Sequence, residues 1–278
     1  LVLNGTVNAD FADADVDPLR FNITPFKVLL PEKRPFFLEN SGVFQFGAPS
    51  VQLFFSRQIG IDPGTGEQVP LDGGVKLTGT VGDYDVGVLD ARTRESGTNP
   101  WANYLVGRVK RRLFEESYVG LMAIDKHSGS EGDAFNRAIG VDGQLRFAKA
   151  WVAQGYYART ASSNHAGGPG KDWSGSAGLA YNGDSIQAAG SSTVVQANFN
   201  PEVGFVDRTD LMTNHVGVEI KPICDAGPCA NSFSSRIMSA SRTRAASSKR
   251  SSGRERSSPS STVAPSPTTT SSSIRFSG

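Results

Sequence analysis

Glu32 and Glu39 stand seven residues apart in Pro31-Glu32-Lys33-Arg34-Pro35-Phe36-Phe37-Leu38-Glu39. Paired carboxylates can act as general acid and base in glycoside hydrolysis, provided they lie about 5 to 10 Å apart. An extended chain would hold these two more than twice that far apart, although the prolines could fold it back. Proline fixes φ and pushes the preceding residue out of helical geometry, so Leu30 and Arg34 are biased towards extended backbone and the segment is expected to be a non-helical turn. The competing structural role is favoured. In it, Glu32, Lys33 and Arg34 form ion pairs that seat the turn, while Phe36 and Phe37 anchor it by burial worth roughly 1.5 to 3 kcal/mol each.

Other chemistry-bearing residues are more scattered. Asp10, Asp13, Asp15 and Asp17 offer calcium-type oxygens. Counted from Asp13, however, an EF-hand loop would need glycine where Pro18 stands and a bidentate glutamate where Thr24 stands, so a solvated acidic loop is expected. Cys224 and Cys229 lack a second Cys or His pair nearby, which leaves zinc weakly supported and a small disulfide loop as an alternative in an oxidising compartment. His127, His165 and His215 are far apart, and neither HExxH nor Gly-x-Ser-x-Gly occurs. Gly167-Gly168-Pro169-Gly170 before Lys171 lacks the spacing of a phosphate loop and is expected to be a turn. No catalytic, cofactor-binding or metal-ligating residue is therefore assigned, and no cofactor is expected. The segment Pro31–Glu39 is retained as a structural motif.

The elements that would position these residues are strands. From Val75 the sequence alternates with period two, with Val75, Leu77, Gly79 and Val81 on one face and Lys76, Thr78 and Thr80 on the other. Tyr84–Asp90 follows after Gly82-Asp83, a hairpin connection. Further strands are expected at Tyr104–Lys110, Tyr118–Asp125, Arg137–Phe147, Trp151–Arg159, Trp173–Tyr181 and Ser185–Ala197. In Arg137–Phe147 the set Ile139, Val141, Gly143, Leu145 and Phe147 opposes Gly140, Asp142, Gln144 and Arg146. Strands of about 9 to 11 residues with one apolar face and aromatic ends fit a transmembrane β-barrel, and they fit equally a soluble antiparallel sheet with one wet face. Glycine is high, 31 of 278 residues, and much of it falls inside strands, where it signals bends or close approach. No apolar run reaches the roughly 18 to 20 residues of a membrane helix.

Charge divides the chain. Residues 231–278 hold 8 of the 28 basic and 1 of the 27 acidic residues, which leaves 1–230 with a net charge of −6. That acidic body argues against a nucleic-acid partner. Serine exceeds a third of residues 231–278, and such composition is expected to be a disordered tail. The abrupt loss of strand pattern near 223–235 also suggests a shifted reading frame. Three regions result: an acidic arm and turn-rich, plug-like segment (1–70), barrel-type strands (71–222), and a Ser/Arg/Pro-rich tail (223–278).

Asn8–Asp17 followed by the run Phe26–Glu39, then Val43–Gly47 and Leu53–Gly60, with Gly74–Gly79, Asn99–Tyr104 and Asn198–Asp210 later, resembles the bacterial family known as domain of unknown function 5916. The resemblance covers roughly residues 1–222. It implies an all-β protein, an incomplete outer-membrane-type β-barrel with an N-terminal turn-rich segment, from a longer Gram-negative protein in which a carbohydrate-binding family 9-like domain comes first. It further implies location in the outer membrane, lipid as partner, a carbohydrate or peptide delivered by the other domain, and a structural or transport role. The alternative is a periplasmic or secreted carbohydrate-active hydrolase using carboxylates within 10–39. The chain starts at Leu1 without a signal region, as expected of a fragment.

Overall fold

The computed structural model describes residues 1–9, 31–48, 50–62, 68–97, 99–129, 134–163 and 170–220, together with the backbone of 235–245. Asp10, Asp13, Asp15 and Asp17, the Cys224/Cys229 pair, His165, Gly167-Gly168-Pro169 and most of the serine-rich tail lie outside the described residues.

The strands are β1 (Val2–Ala9), β2 (Val51–Gln52), β3 (Leu71–Val81), β4 (Tyr84–Thr93), β5 (Ala102–Phe114), β6 (Ser117–Ser128), β7 (Ala134–Phe147), β8 (Trp151–Ser162), β9 (Trp173–Asn182), β10 (Ile186–Val195), β11 (Phe205–Val206), β12 (Leu211–Ile220) and β13 (Ser235–Ala245). Eleven of them form one antiparallel sheet in the order β1-β3-β4-β5-β6-β7-β8-β9-β10-β12-β13, while β2 and β11 form a second, two-stranded sheet. The fold is thus all-β, an open meander whose edges β1 and β13 do not pair among the described residues. At one end the hairpins close tightly, as at Gly82-Asp83 and Glu115-Glu116; at the other the connections 94–101, 163–172 and 196–210 are long.

The expected strands from Val75 to Ala197 are all present, most of them longer than the sequence pattern suggested. Three strands of the large sheet were not expected. The arm begins as β1, which pairs with β3 from Val2↔Thr78 to Ala9↔Leu71. Leu211–Ile220 forms β12, and Ser235–Ala245, inside the stretch expected to be a disordered tail, forms β13 on its edge. An unpaired strand edge offers a row of backbone donors and acceptors, and pairing to it requires no apolar periodicity in the incoming segment.

Burial shows which face of the sheet is which. Leu71, Lys76 and Thr78 of β3, Leu89 and Ala91 of β4, Val106 and Arg108 of β5, Met122 and Ile124 of β6, Ala138 and Asp142 of β7, and Tyr156 and Ala158 of β8 are all buried. The apolar members of this set join one cluster with Phe37, Phe44, Phe46, Val51, Leu53 and Ile59 of the segment 31–62, and with Phe199 and Val203 of the β10–β12 connection. The sheet therefore curls around an insert built from two separate stretches of chain. The opposite face is large, apolar and exposed: Val75, Val88, Leu105, Val109, Leu121, Ile139, Val141, Leu145 and Leu179 all point away from the insert.

Glycine on the inner face makes room for the insert. A Cβ at Gly140 would stand 2.4 Å from the Phe46 ring, one at Gly87 2.9 Å from Phe44, and one at Gly74 3.1 Å from Phe36. Phe36, Phe44 and Phe46 of the insert thus occupy the places of absent side chains in the wall.

Candidate functional site

Three of the segments singled out in the sequence, Pro31–Glu39, Leu53–Gly60 and Asn198–Asp210, meet inside the curled sheet. In the first, Arg34 is almost completely buried and binds Glu32 in a two-pronged pair, Nε to Oε1 at 2.8 Å and Nη2 to Oε2 at 2.7 Å. Its guanidinium also donates to the carbonyls of Ile59 (2.6 Å) and Ser56 (2.8 Å), and the Ser56 hydroxyl donates to Glu32 Oε2 (2.7 Å). Arg34 further lies over the Phe37 ring at 4.2 Å. Residues 31–34 are in this way tied to 56–59, a geometry that suits arginine because its planar fork matches a carboxylate.

The non-helical expectation for this segment needs correction. Pro35–Leu38 is a single α-helical turn with proline at its start. Proline is tolerated there because the first helical N–H needs no intrahelical partner and φ is already near the helical value. The turn ends on the wall: Lys76 Nζ donates to the carbonyls of Phe36 and Glu39, satisfying groups that a helix C-terminus leaves without partners.

Burial by itself would raise the Glu32 carboxyl, but the hydrogen bonds and charge of Arg34 and the Ser56 hydroxyl outweigh it and hold the group below its ordinary value. Glu32 is thus fixed as a carboxylate, unsuited to proton donation. Glu39 is exposed and accepts a hydrogen bond from Asn4. Among the described residues the two share no partner, and the acid–base pair weighed from the sequence gains no support.

Deeper in the wall, Arg108 and Asp142 form a buried two-pronged pair, at 2.6 and 2.8 Å, that bridges β5 and β7. It passes over Gly120 of β6, where a Cβ would stand 2.7 Å from Arg108 Nη1. The Phe46 ring lies 5.4 Å from the guanidinium carbon, and Tyr118 Oη donates to Asp142 Oδ2 at 3.4 Å.

At the long-loop end the β10–β12 connection folds back onto the insert. β11 pairs with β2 as Phe205↔Gln52 and Val206↔Val51, and Phe55 N–H donates to the Val203 carbonyl at 2.7 Å. Asn136 Nδ2 donates to the Asn200 carbonyl (2.9 Å), Asn200 N–H to Thr160 Oγ1 (3.1 Å), and Lys126 Nζ to Glu202 Oε2 (2.8 Å). Between this connection, the 58–62 stretch and the start of β5 lies a cavity of about 470 Å³. The sequence alone did not mark it, because its lining comes from parts of the chain more than a hundred residues apart.

His127 sits beside Trp101 with ring centres 6.0 Å apart, and His215 lies on β12. No group of three or more His, Cys, Asp or Glu side chains suited to a metal occurs among the described residues. Nor, among them, is any helix long and apolar enough to cross a membrane, which leaves open crossing by strands. On the outer face a groove of about 730 Å³ runs past Val88, Leu105, Gly107, Ala123 and Ile139, bordered by the pairs Arg137–Asp125 (2.7 Å) and Arg159–Asp172 (2.9 Å).

Fold and interior together define an all-β meander wrapped on an internal insert, with charge inside and apolar side chains outside. Residues 1–83 match the model of the family described as a domain of unknown function (DUF5916), which bears out the resemblance drawn from the motifs of that stretch. No curated protein and no solved structure matches the chain.

Proposed function

We propose that this chain forms wall and plug of an outer-membrane β-barrel, with its outward apolar row against lipid and a structural or transport role. What carries the proposal is the inverted distribution of polarity. Lys76, Arg108 and Asp142 are 1%, 1% and 7% exposed on the inner face, whereas Val141 and Ile139 are 47% and 55% exposed on the outer one. A soluble sheet buries its apolar face, and a soluble monomer rarely exposes a contiguous apolar patch larger than a few hundred Å². A membrane barrel alternates apolar outward with polar inward.

The vertical order of side chains supports the same proposal. On β7 the outward positions from Ile139 to Phe147 span about 27 Å along the strand, comparable with the roughly 25 Å apolar band of such barrels. Phe147, Trp151 and Tyr181 cluster at the tight-turn end, with ring centres 6.4 and 5.1 Å apart. Trp173 stacks on Tyr157 at 5.8 Å towards the other end, beside the Arg159–Asp172 pair. Aromatic and charged groups at both margins of an apolar band suit the two membrane–water interfaces. Short turns on one side and long loops on the other correspond to periplasmic and extracellular ends.

The test is fractionation of the full-length protein from a Gram-negative host. Recovery in outer membranes, resistant to carbonate and high salt, is expected. Recovery from the soluble periplasm would end the barrel proposal. A carbohydrate or peptide as the molecule handled is a further part of it, to be tested by binding, as argued next.

A further inference from the structure

We infer that the cavity at the long-loop mouth is a binding site for a small, neutral, hydroxyl-rich molecule of the saccharide type. Its volume, about 470 Å³, lies within the roughly 300 to 1,000 Å³ of small-molecule sites. Among the described residues the lining comes from Gln58, Gly60 and Asp62 of the insert, Asn99 of the β4–β5 connection, Tyr104 and Lys126 of the wall, and Asn200, Pro201, Glu202 and Gly204 of the returning connection.

The chemistry of the lining selects the ligand. Among the described residues its charged side chains are Asp62, Lys126 and Glu202, a formal charge of −1, which disfavours phosphates and carboxylates. Lys126 is bound to Glu202 at 2.8 Å and Asp62 to the Asn99 amide at 2.8 Å, so the strongest charge is held within the protein. A carboxylate accepts up to about four hydrogen bonds, and Glu202 commits one oxygen to Lys126. The amides of Gln58 and Asn99 add both donors and acceptors, while the Thr93 hydroxyl is engaged with the Ala102 backbone and the Ser128 hydroxyl with the Ala134 carbonyl. Such a mixture matches a ligand whose own groups donate and accept at once, as hydroxyls do. Pro100, Pro201 and Val69 supply the apolar surface on which the carbon face of a sugar ring can rest.

The inference does not depend on the membrane proposal, since binding is measured on the purified full chain wherever it is recovered. Glucose, maltose, cellobiose and xylobiose are titrated by calorimetry in a detergent without a sugar headgroup, alongside putrescine and inorganic phosphate. At least one saccharide is expected to saturate, and Asp62→Asn and Gln58→Ala are each expected to weaken it about tenfold or more while leaving the thermal transition in place. Gln58→Ala removes an amide without breaking an ion pair, so the test stands even if Asp62→Asn fails to fold. Three results would overturn the inference: no saccharide saturates at millimolar concentration, putrescine or phosphate binds in preference, or the binding is indifferent to both substitutions.

Discussion

Gly140 of the wall and Phe46 of the insert occupy complementary space, since a Cβ on Gly140 would stand 2.4 Å from the ring's Cζ. Overfilling a packed site costs about 1 to 3 kcal/mol, so Gly140→Ala should destabilise and Gly140→Val should do so more. Gly107, on the outer face, has only the Ala123 carbonyl near its Cβ position, at 4.0 Å, and Gly107→Ala should stay within about 0.5 kcal/mol of the parent. Phe46→Ala introduced with Gly140→Ala should cost less than the two changes summed, because the smaller ring site admits the methyl group. Urea unfolding monitored by tryptophan fluorescence measures these variants together with Phe46→Ala alone.

The Arg108–Asp142 pair holds β5 to β7 beneath the insert, with its side chains 0% and 6% exposed. Removing one partner leaves a buried charge uncompensated, so Asp142→Asn or Arg108→Met should each cost about 3 to 5 kcal/mol. The double change Arg108→Met with Asp142→Leu should recover most of that loss. Equal losses in single and double variants would mean that the pair is not what the wall depends on here.

Glu32 gives the insert a pH dependence of defined sign. Its folded-state pKa lies below the ordinary 4.5, so the carboxylate's contribution is fully present above that value and is lost as pH falls through the lower, folded-state value. Glu32→Gln removes the charge at every pH and leaves Arg34 without its carboxylate. The stability gap between parent and variant should therefore be constant from pH 7 to about 5 and narrow below 4.5. A gap that widens in acid would contradict the Glu32–Arg34 arrangement.

Strand positions were legible in the sequence because period two survives in Val75–Val81, Arg137–Phe147 and Trp173–Tyr181 whatever surrounds them. The side that faces inward was not, since alternation is symmetric: Lys76 and Asp142 look like solvent positions until the insert is seen to cover them. Strand glycines signalled close approach, and the structure identifies Phe36, Phe44 and Phe46 as what approaches Gly74, Gly87 and Gly140. β13 escaped notice because its pairing comes from the edge of β12 and not from its own composition. The one-turn helix at Pro35 is not legible from the prolines, because proline disfavours helical geometry only in the residue before it and leaves the residues after it free to be helical. The mouth cavity was beyond reach, for it exists only once Asp62, Asn99 and Glu202 are brought together by the returning connection.

Charge scanning along β7 separates a lipid-facing surface from a wet one. Arginine on the lipid face of an outer-membrane barrel costs about 2 to 4 kcal/mol at the bilayer midplane and about 0 to 1 near the interfaces. On a water-facing strand the same change stays within about 0.5 kcal/mol at every position. Val141 and Leu145 lie within the outward apolar row and are 47% and 46% exposed, while Phe147, at 48%, ends it beside Trp151. Exposure is thus nearly equal at the three sites, so a soluble sheet gives no reason for them to differ. For the full chain refolded into phosphatidylcholine vesicles, Val141→Arg and Leu145→Arg should each lose several times more stability than Phe147→Arg. A flat profile across the three would place this face in water and remove the barrel proposal.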